Sequence, residues 1–422
     1  MKFIVNGGRR LEGEIKVLGS KNAATPIISA TILTSRPCVI ENVPKIGDVA
    51  TLLAILASMG SEISWLGERT LRIVNKDIDP KKIDLHLVRR IRSSVLLVAP
   101  ILARFGEFVT GTPGGCHIGV RPLDAHLESF KDLGIEVNYN ATKDLYRLKT
   151  PKKYDKSSVI LKEFSVTATE NLMMLGYKIP SLEINLAAAE THVQDLGAFL
   201  KKLGMSIEGL GTHLISIKGA NKINSSKEVK HSIISDPIEA GTFFILGALT
   251  GNLRIKKVPI SYLTAPLHKL KEFGVDFSVT EDTVTVKKGF GKLKGIKIQT
   301  LPYPGFPTDL QAPYGVLATQ SRGESLIFDT LYEGRLRYIK ELAKMGAKAK
   351  ILDPHRAIIY GRTPLHGASI KSLDLRAGAT LVIAALTAKG KSILNDAEQI
   401  DRGYEKLEER LRLLGADITR TK

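Results

Sequence analysis

The chain has few of the residues from which disulfide-rich, metal-binding or base-stacking proteins are built. Its 422 residues include two cysteines, nine histidines and one tryptophan, and aromatic residues make up 6%. Two cysteines in so long a chain argue against a disulfide framework, and no histidines or cysteines have zinc-ligand spacing, so no metal is predicted. We also find no aromatic motif for stacking on nucleic-acid bases.

The chain also lacks a long apolar run. The most apolar stretch, "VLLVAPILA" at 95–103, is far shorter than the ~20 residues of a membrane span, and we interpret it as part of a buried helix. The amino terminus alternates apolar and polar residues like a strand and lacks the apolar core of a signal peptide. We therefore expect a cytoplasmic protein with no membrane partner. Because single cores stop growing near ~250–300 residues, we expect two domains.

Acidic residues are outnumbered by basic ones. Lys and Arg total 61 against 43 Asp and Glu, a formal net charge of +18. Such a balance implies anionic partners, namely nucleic acid, a membrane surface or phosphorylated small molecules. Composition alone leaves all three open.

A repeated helix-stop signal runs through the whole chain. Segments such as "FKDLGIEV" and "LKEFGVDF" follow an amphipathic stretch, precede an alternating one, and recur about every 70 residues. The glycines of these segments are Gly60, Gly134, Gly204, Gly274, Gly346 and Gly415. The pattern predicts six helices that end in a left-handed glycine cap and continue into a strand.

A second type of helix, apolar nearly all round and therefore buried, is predicted upstream of each capped helix. Each of these six helices opens with polar or charged residues that differ among the copies, including Lys21, Arg92 and Arg376. A helix amino terminus presents unpaired N–H groups and suits phosphate or carboxylate. Any one of these basic residues alone would more often be a solvated helix end, but the recurrence favours an anion-binding role.

One cysteine lies in the glycine-rich stretch "GTPGGCHIGVRP", residues 111–122. Gly114, Gly115 and Gly119 predict a mobile or tightly turned loop, and nearby Arg121 would favour the thiolate form of Cys116. An inert loop cysteine is an equally weighted alternative. Cys38, in a strand-like run, is predicted to be a small buried hydrophobe.

Five motifs spread along the chain, with the six-fold unit, resemble those of one enzyme family. The motifs are "GSKNAA", "PGGCHIGVRPLDAH", "FPTDLQA", "LDLRAGATLV" and "IDRGYEKLEERL". They are similar to the UDP-N-acetylglucosamine 1-carboxyvinyltransferases, a family of enolpyruvyl transferases in the EPSP synthase superfamily. The resemblance implies an inside-out α/β barrel architecture of six repeats, three per domain. One domain would be 21–230, the other 1–20 plus 231–422, with the active-site cleft between them.

The reaction implied by the resemblance transfers the enolpyruvyl group of phosphoenolpyruvate to the 3-hydroxyl of UDP-N-acetylglucosamine. It releases phosphate by addition and elimination and begins peptidoglycan precursor synthesis. We expect no cofactor, no nucleic-acid partner, and a monomer or weak homo-oligomer. The motif positions imply a phosphoenolpyruvate clamp of Lys21, Arg92, Arg121, Arg335, Arg376 and Arg402, with Asn22 and Asp374 alongside. Arginine suits this task because its planar fork holds two oxygens at once.

The implied catalytic residues are Lys21, Cys116, Asp309 and Arg402. Asp309 would be the base that takes the proton of the sugar hydroxyl. Because it opens a helix, an equally weighted alternative is an aspartate that only caps the helix. Cys116 would be the general acid at the methylene carbon, or would form a covalent adduct and help release product. Members with this cysteine are alkylated by fosfomycin, so sensitivity is expected here. Asp374 would orient the cysteine loop or the arginines.

The resemblance also implies contacts to the nucleotide sugar. Asn22 would touch the N-acetyl sugar, Leu331 would offer a backbone contact beside it, and Arg92 and Asp309 would take part. The uracil segment would be Arg121, Pro122, Leu123, Asp124 and His126, and the diphosphate would meet Ser165, Val166 and Thr167.

Several positions depart from the family pattern and leave the acceptor open. Glu163 replaces a lysine, although Lys162 adjoins it, Thr167 replaces a glycine, and Pro237 replaces an arginine. "EPE" becomes Glu190, Thr191 and His192, and "ENRF" becomes Glu333, Gly334, Arg335 and Leu336. A variant nucleotide sugar or shikimate 3-phosphate is the alternative acceptor. A non-catalytic basic protein that binds nucleic acid is the alternative of another class; the scattered helix-start positions of the basic residues argue against it.

Overall fold

The structure is a computed structural model that describes residues 1–115, 122–220, 227–287 and 292–422. Two of the predicted site residues, Cys116 and Arg121, lie outside the described residues. The described part divides into two compact units. The first unit contains residues 1–18 and the described residues from 235 onward, and the second contains the described residues from 19 to 234.

Apart from the single-turn α3, the helices of the described residues alternate between buried and amphipathic types. They are α1 Lys21–Ala30, α2 Gly47–Ser58, α3 Leu85–Val88, α4 Val98–Phe105, α5 Asp124–Asp132, α6 Val166–Leu175, α7 Thr191–Lys202, α8 Pro237–Thr250, α9 Thr264–Phe273, α10 Thr308–Thr319, α11 Tyr338–Lys344, α12 Leu375–Thr387 and α13 Leu407–Arg412. Short 3₁₀ turns occur at Thr31–Leu33, Pro80–Lys82, Arg92–Leu97, Ile260–Tyr262, Arg335–Arg337 and Ala397–Arg402.

The predicted glycine caps are confirmed. The six glycines, Gly60, Gly134, Gly204, Gly274, Gly346 and Gly415, all have φ between 78° and 100°. They follow α2, α5, α7, α9, α11 and α13 in that order. In this left-handed region a β-carbon is strained, so glycine ends each helix and turns the chain into the next strand.

The strands are short and numerous. They are β1 Lys2–Gly7, β2 Leu11–Lys16, β3 Cys38–Glu41, β4 Glu62–Trp65, β5 Leu71–Val74, β6 Glu107–Gly111, β7 Glu136–Asn140, β8 Leu145–Lys149, β9 Ser158–Ile160, β10 Ser181–Asn185, β11 Ser206–Glu208, β12 Leu214–Lys218, β13 Val229–Ser232, β14 Gly251–Lys256, β15 Phe277–Val279, β16 Thr283–Val286, β17 Lys297–Gln299, β18 Gly323–Phe328, β19 Lys348–Ile351, β20 Arg356–Gly361, β21 Ser369–Lys371, β22 Gly390–Asn395 and β23 Asp417–Thr421.

These strands form small mixed sheets. In the first unit the strand orders are β21-β22-β1-β23, β15-β16-β14-β2 and β17-β18-β20-β19. In the second unit they are β13-β3-β5-β4, β11-β12-β10-β9 and β6-β8-β7. In every four-stranded sheet one edge pair is parallel and the remaining pairs are antiparallel, as where β2 runs parallel to β14. The fold is therefore α/β, with the first strand of the chain paired to β22 and β23.

The apolar helices form the centre of each unit. In the first unit α8, α10 and α12 pack on one another; in the second, α4 packs on α6, and the turn Arg92–Leu97 contacts both α1 and α6. Small residues allow the close approach, since a β-carbon at Gly241 would lie 2.5 Å from Cδ1 of Leu310. The prediction that these segments are buried because they are apolar on all sides is confirmed.

One predicted helix has different bounds. The sequence predicts one buried helix that opens near Arg92 and includes 95–103, but the structure has a 3₁₀ turn at Arg92–Leu97 before α4 begins at Val98. Pro100 lies in the first turn of α4, where a missing N–H costs no internal hydrogen bond. Cys38 is fully buried as predicted, and burial raises the pKa of its thiol to about 12. Over the described residues, helices are too short or too polar to cross a bilayer.

Candidate active site

Two arginines converge on one aspartate in the first unit. Asp309 lies in the first turn of α10, and its two carboxylate oxygens accept from Nη2 of Arg335 and from Nε of Arg376, the latter at 3.0 Å. The side chains are 18%, 11% and 4% exposed respectively. The two guanidiniums stabilise the negative charge of the carboxylate through charge-assisted hydrogen bonds. The sequence-predicted residues Asp309, Arg335 and Arg376 are thus brought together.

The guanidiniums of Arg335 and Arg376 are called here the guanidinium pair. Each has one more buried N–H donor that no described acceptor engages. Nε of Arg335 and Nη1 of Arg376 are buried and have no hydrogen-bond partner among the described residues. Burial opposes the charge of Arg335, but the neighbouring carboxylates, Asp309 first, raise the pKa of its guanidinium above the ordinary value. The unused donors, and not an excess of positive charge, distinguish the cluster, because Asp374, Asp329 and Asp236 also act on the two guanidiniums. This arrangement suits a small anion such as phosphate or carboxylate.

Arg376 is held from several sides. Its guanidinium lies 5.4 Å from the ring centre of Tyr404, whose hydroxyl is 3.0 Å from Oγ1 of Thr242. Burial tends to lower the pKa of Arg376, but Asp309, Tyr404 and Asp236 together raise it. Asp236 is buried at the amino terminus of α8, and desolvation raises the pKa of its carboxyl. The arginine is therefore fixed and charged in the interior of the unit.

Two further aspartates shape the backbone around this cluster. Asp374 caps α12 by accepting from the N–H groups of Arg376 and Ala377 at 2.8 and 3.0 Å. Asp329 is fully buried and accepts from the hydroxyl of Thr308 at 2.6 Å and from the N–H of Leu331 at 3.0 Å. The predicted acceptor-binding residue Leu331 is thereby tied to the residue that precedes Asp309.

Arg402 ends the 3₁₀ turn Ala397–Arg402 and is partly buried. Its Nη1 lies 3.5 Å from Oε1 of Gln399 in the same turn. The turn packs on α12, the helix that carries Arg376.

In the second unit, Lys21 is paired with a buried acid. Its Nζ is 2.9 Å from Oδ2 of Asp48, and the two side chains are 16% and 4% exposed. Asp48 lies in the first turn of α2, and Lys21 opens α1, which Ser20 caps by accepting from the N–H of Ala23. Asn22 follows, half-buried, in the first turn of α1. Asp48 fixes the position of the lysine ammonium.

The described stem of the cysteine loop packs closely on the segment that carries Arg92. A β-carbon at Gly114 would lie 1.7 Å from the carbonyl oxygen of Arg89, so only glycine fits there, and Gly115 has φ +120°. Nη2 of Arg92 donates to the carbonyl of Pro122 at 3.1 Å. The predicted mobile or tightly turned loop continues into residues outside the described ranges and stays a prediction.

His126 of the predicted uracil segment faces inward. It is 2% exposed, and its ring nitrogens lie 3.0 Å from Oγ1 of Thr167 and 3.0 Å from Nδ2 of Asn171. Since the amide nitrogen of Asn171 can only donate, Nδ1 accepts and Nε2 carries the proton in the neutral ring. His126 therefore braces α5 against α6. Of its predicted companions, Pro122 and Asp124 are exposed and Leu123 is half-buried.

The start of α6 has the predicted form. Ser165 caps the helix by accepting from the N–H of Ala168, and half-buried Val166 and Thr167 form the first turn. Glu163 is exposed, and Lys162 does not neutralise it by an ion pair but pairs with Glu128 at 2.6 Å. That pair raises the pKa of the Lys162 ammonium. Lys162, although it adjoins Glu163, is therefore engaged by Glu128.

Sequence reasoning did not single out several residues of these clusters. Tyr404 lay inside the quoted motif "IDRGYEKLEERL", two residues after Arg402, and that proximity was an available signal. Asp48 and Asp236 gave no comparable signal, because first-turn and capping aspartates are common at helix starts. In the parts of the chain that the structure describes, no group of three or more His, Cys, Asp or Glu residues could hold a metal ion.

Comparison with known proteins first defines the class. The family described as EPSP synthase (3-phosphoshikimate 1-carboxyvinyltransferase) matches residues 5–411. The crystal structure of the enolpyruvyl transferase NikO from Streptomyces tendae has a TM-score of 0.89 and 25% identity, covering 100% of this chain and 98% of that one. An EPSP synthase from Acinetobacter baumannii, 18% identical with a TM-score of 0.77 and full coverage of both chains, has the same fold. The chain belongs to the EPSP synthase family of enolpyruvyl transferases.

Curated relatives define the branch of this family. The UDP-N-acetylglucosamine 1-carboxyvinyltransferase of Koribacter versatilis is 41% identical over 426 residues, covering 99% of this chain and 96% of the relative. UDP-N-acetylglucosamine 1-carboxyvinyltransferase 1 of Carboxydothermus hydrogenoformans is 42% identical over 421 residues, covering 99% and 98%. Within the family the chain therefore groups with the UDP-N-acetylglucosamine 1-carboxyvinyltransferases, as its motifs predicted.

Proposed function

We propose that this chain transfers the enolpyruvyl group of phosphoenolpyruvate to the 3-hydroxyl of UDP-N-acetylglucosamine and releases phosphate. The observation that carries the proposal is about 40% identity, over nearly the whole length of both chains, to enzymes named for that reaction. The buried guanidinium pair supplies a chemical reason, because both substrates are anionic. The reaction provides a precursor for peptidoglycan and places the enzyme in cell-wall synthesis.

The residues of the first unit suggest how the acid substrate would engage. A phosphate or carboxylate of phosphoenolpyruvate would bond to Nε of Arg335 and Nη1 of Arg376, the donors that Asp309 does not engage. The anion would share the positive charge of the two guanidiniums with Asp309 and so weaken their bonds to it. Weakened bonds to the guanidiniums would make one Asp309 oxygen available to accept the proton of the sugar hydroxyl. The guanidiniums remain in place to stabilise charge that develops in the transition state.

The remaining roles rest on the resemblance. Lys21, Arg92, Arg121 and Arg402 would complete the clamp, with Asn22 and Asp374 as neighbours. Cys116 would protonate the methylene carbon or form a covalent adduct. Pro122, Leu123, Asp124, Ser165, Val166, Thr167 and Leu331 would face the nucleotide sugar. For His126 we propose a bracing role, since its ring is buried against Thr167 and Asn171.

We also propose that each unit is an inside-out α/β barrel of three repeats. The order helix, strand, helix, strand, strand supports this, as in α8, β14, α9, β15 and β16. The last repeat would close with β1, which pairs with both β22 and β23. A cytoplasmic location and a monomeric or weakly associated state remain predictions.

Phosphate release from phosphoenolpyruvate tests the function. We expect release only when UDP-N-acetylglucosamine is added, and little with shikimate 3-phosphate. Asp309→Ala should lose turnover, Cys116→Ala should lose most of it, and Asp276→Ala, which alters an exposed pair with Lys287, should not. Release with shikimate 3-phosphate and not with the nucleotide sugar would contradict the proposal.

A further inference from the structure

A second cluster of ion pairs, formed by one arginine and two acidic residues, lies next to Arg402 near the carboxy terminus of the chain. Arg420, on β23, donates from Nη1 and Nη2 to Asp401 at 2.7 and 2.6 Å. It also donates from Nε and Nη2 to Glu408 at 2.5 and 3.0 Å. All three guanidinium nitrogens are used, and the group lies 4.8 Å from the ring centre of Phe3. Arg420, Asp401 and Glu408 are called here the Arg420 cluster.

The cluster grips the turn that ends in Arg402. Asp401 immediately precedes Arg402 in the 3₁₀ turn Ala397–Arg402, and Glu408 lies in the first turn of α13, which follows it. The fork of Arg420 joins these two segments to β23 in a fixed geometry, because a planar guanidinium can bind two carboxylates at once. Hydrogen bonds to Asp401, then to Glu408, raise the pKa of Arg420.

The opposite side of the same turn packs closely against α12. A β-carbon at Gly378 of α12 would lie 2.7 Å from Cγ1 of Ile400. One at Gly403 would lie 2.6 Å from Cδ1 of Leu375, the first residue of α12. The turn is therefore held between α12, which carries Arg376, and the Arg420 cluster.

We propose that Arg420 is a positioning residue for the anion site, acting through Arg402. It sets the backbone position of Arg402 relative to Arg376 by holding Asp401, the residue that precedes Arg402 in the turn. The role rests on the proposed function in that Arg402 is taken to bind the anion and the anion is taken to be phosphoenolpyruvate. The inference from the contacts concerns any phosphate-bearing acid.

The experiment compares Arg420→Lys with wild type and with Arg356→Lys. Lysine keeps the charge but cannot bond two carboxylates in the fork geometry. Arg356 is a matched control because it pairs with Asp353 on the surface of the same unit and is 55% exposed. We expect the affinity for inorganic phosphate, measured by calorimetry, to weaken about tenfold in Arg420→Lys, and the KM for phosphoenolpyruvate to rise about tenfold. This is about the effect of losing one hydrogen bond to a charged group. The KM for UDP-N-acetylglucosamine and the behaviour of Arg356→Lys should stay unchanged.

A double-mutant cycle separates positioning from a general loss of structure. If Arg420 acts through Arg402, adding Arg420→Lys to Arg402→Ala should weaken phosphate binding by less than twofold further. An additive tenfold loss in the double variant, or unchanged phosphate affinity in Arg420→Lys, would overturn the proposal. Should Arg420→Lys fail to fold, Asp401→Asn replaces it in the same cycle with the same expected outcomes.

The readouts keep this inference distinct from the proposed function. If the wild-type protein binds phosphate but does not turn over UDP-N-acetylglucosamine, the proposed function is contradicted. The calorimetric measurements of phosphate binding would still test the role of Arg420. If the wild-type protein turns over normally and the losses in the double-mutant cycle are additive, only the positioning role of Arg420 is contradicted.

Discussion

Replacing Asp309 by asparagine tests the electrostatic arrangement of the site most directly. Asn keeps the shape of the side chain but leaves the guanidinium pair, 11% and 4% exposed, facing each other without their shared carboxylate. Removing one partner from a buried ion pair costs about 3–5 kcal/mol. At about 2–4 °C per kcal/mol for a unit of roughly 200 residues, the melting temperature of the first unit should fall by about 6–20 °C.

An added anion should reverse much of that loss. Inorganic phosphate can take the place of the missing carboxylate, and a ligand that binds only the folded state raises its stability. Melting is followed by calorimetry with and without phosphate at constant ionic strength. The control is Asp276→Asn, whose exposed pair with Lys287 predicts a change within about 1 kcal/mol. Turnover of Asp309→Asn should fall by about 10²–10⁴, the contribution of a general base. Equal melting of the two variants, or equal stabilisation of Asp309→Asn and wild type by phosphate, would refute the reasoning.

Three further predictions follow from the buried groups. Asp48→Asn should remove the ion pair that holds the Lys21 ammonium, 2.9 Å away. The KM for phosphoenolpyruvate should then rise about tenfold, the effect of losing one hydrogen bond to a charged group, with a smaller change in kcat. An unchanged KM in steady-state assays would contradict this. Tyr404→Phe removes the hydroxyl bonded to Thr242 and should lower stability by about 1 kcal/mol in denaturant melts, with the ring contact kept. Glu170 is fully buried, and desolvation raises the pKa of its carboxyl well above 4.5, so the folded state holds the proton longer than the unfolded state. Its contribution to stability should therefore be largest below pH 4.5 and diminish as pH rises toward the raised pKa. Denaturant melts across this range should show a shallower pH slope in Glu170→Gln than in wild type, and parallel slopes would count against it.

The periodic features of the fold were predictable from the sequence because local rules govern them. A glycine such as Gly274 after an amphipathic stretch specifies a left-handed cap, and an all-round apolar stretch such as 237–250 specifies a buried helix. The start of α4 was predicted less well, since the 3₁₀ turn Arg92–Leu97 depends on packing against α1 and α6 as well as on local preference.

The candidate site was predictable as a set of residue types and not as a set of contacts. Residues in recognisable motifs, such as Asp309 and Arg376, were identified individually. Their pairing, and the burial of Asp236 and Tyr404 around Arg376, joins segments up to 168 residues apart in the chain, from 236 to 404. For His126 the motif position predicts a ligand contact, which stays a prediction, while its pairing with Thr167 and Asn171 became visible only in the tertiary structure.

By itself, the sequence determined the class of the protein, the glycine-capped helices and the basic character of its binding residues. These features depend on residue types at short spacing and on the order of motifs along the chain. Only the tertiary structure decided that one carboxylate is shared by two buried guanidiniums, that Lys21 is held by Asp48, and that Arg420 grips the turn before Arg402. Side chains far apart in sequence meet only when the helices and sheets pack, and burial then strengthens the interaction between their charges.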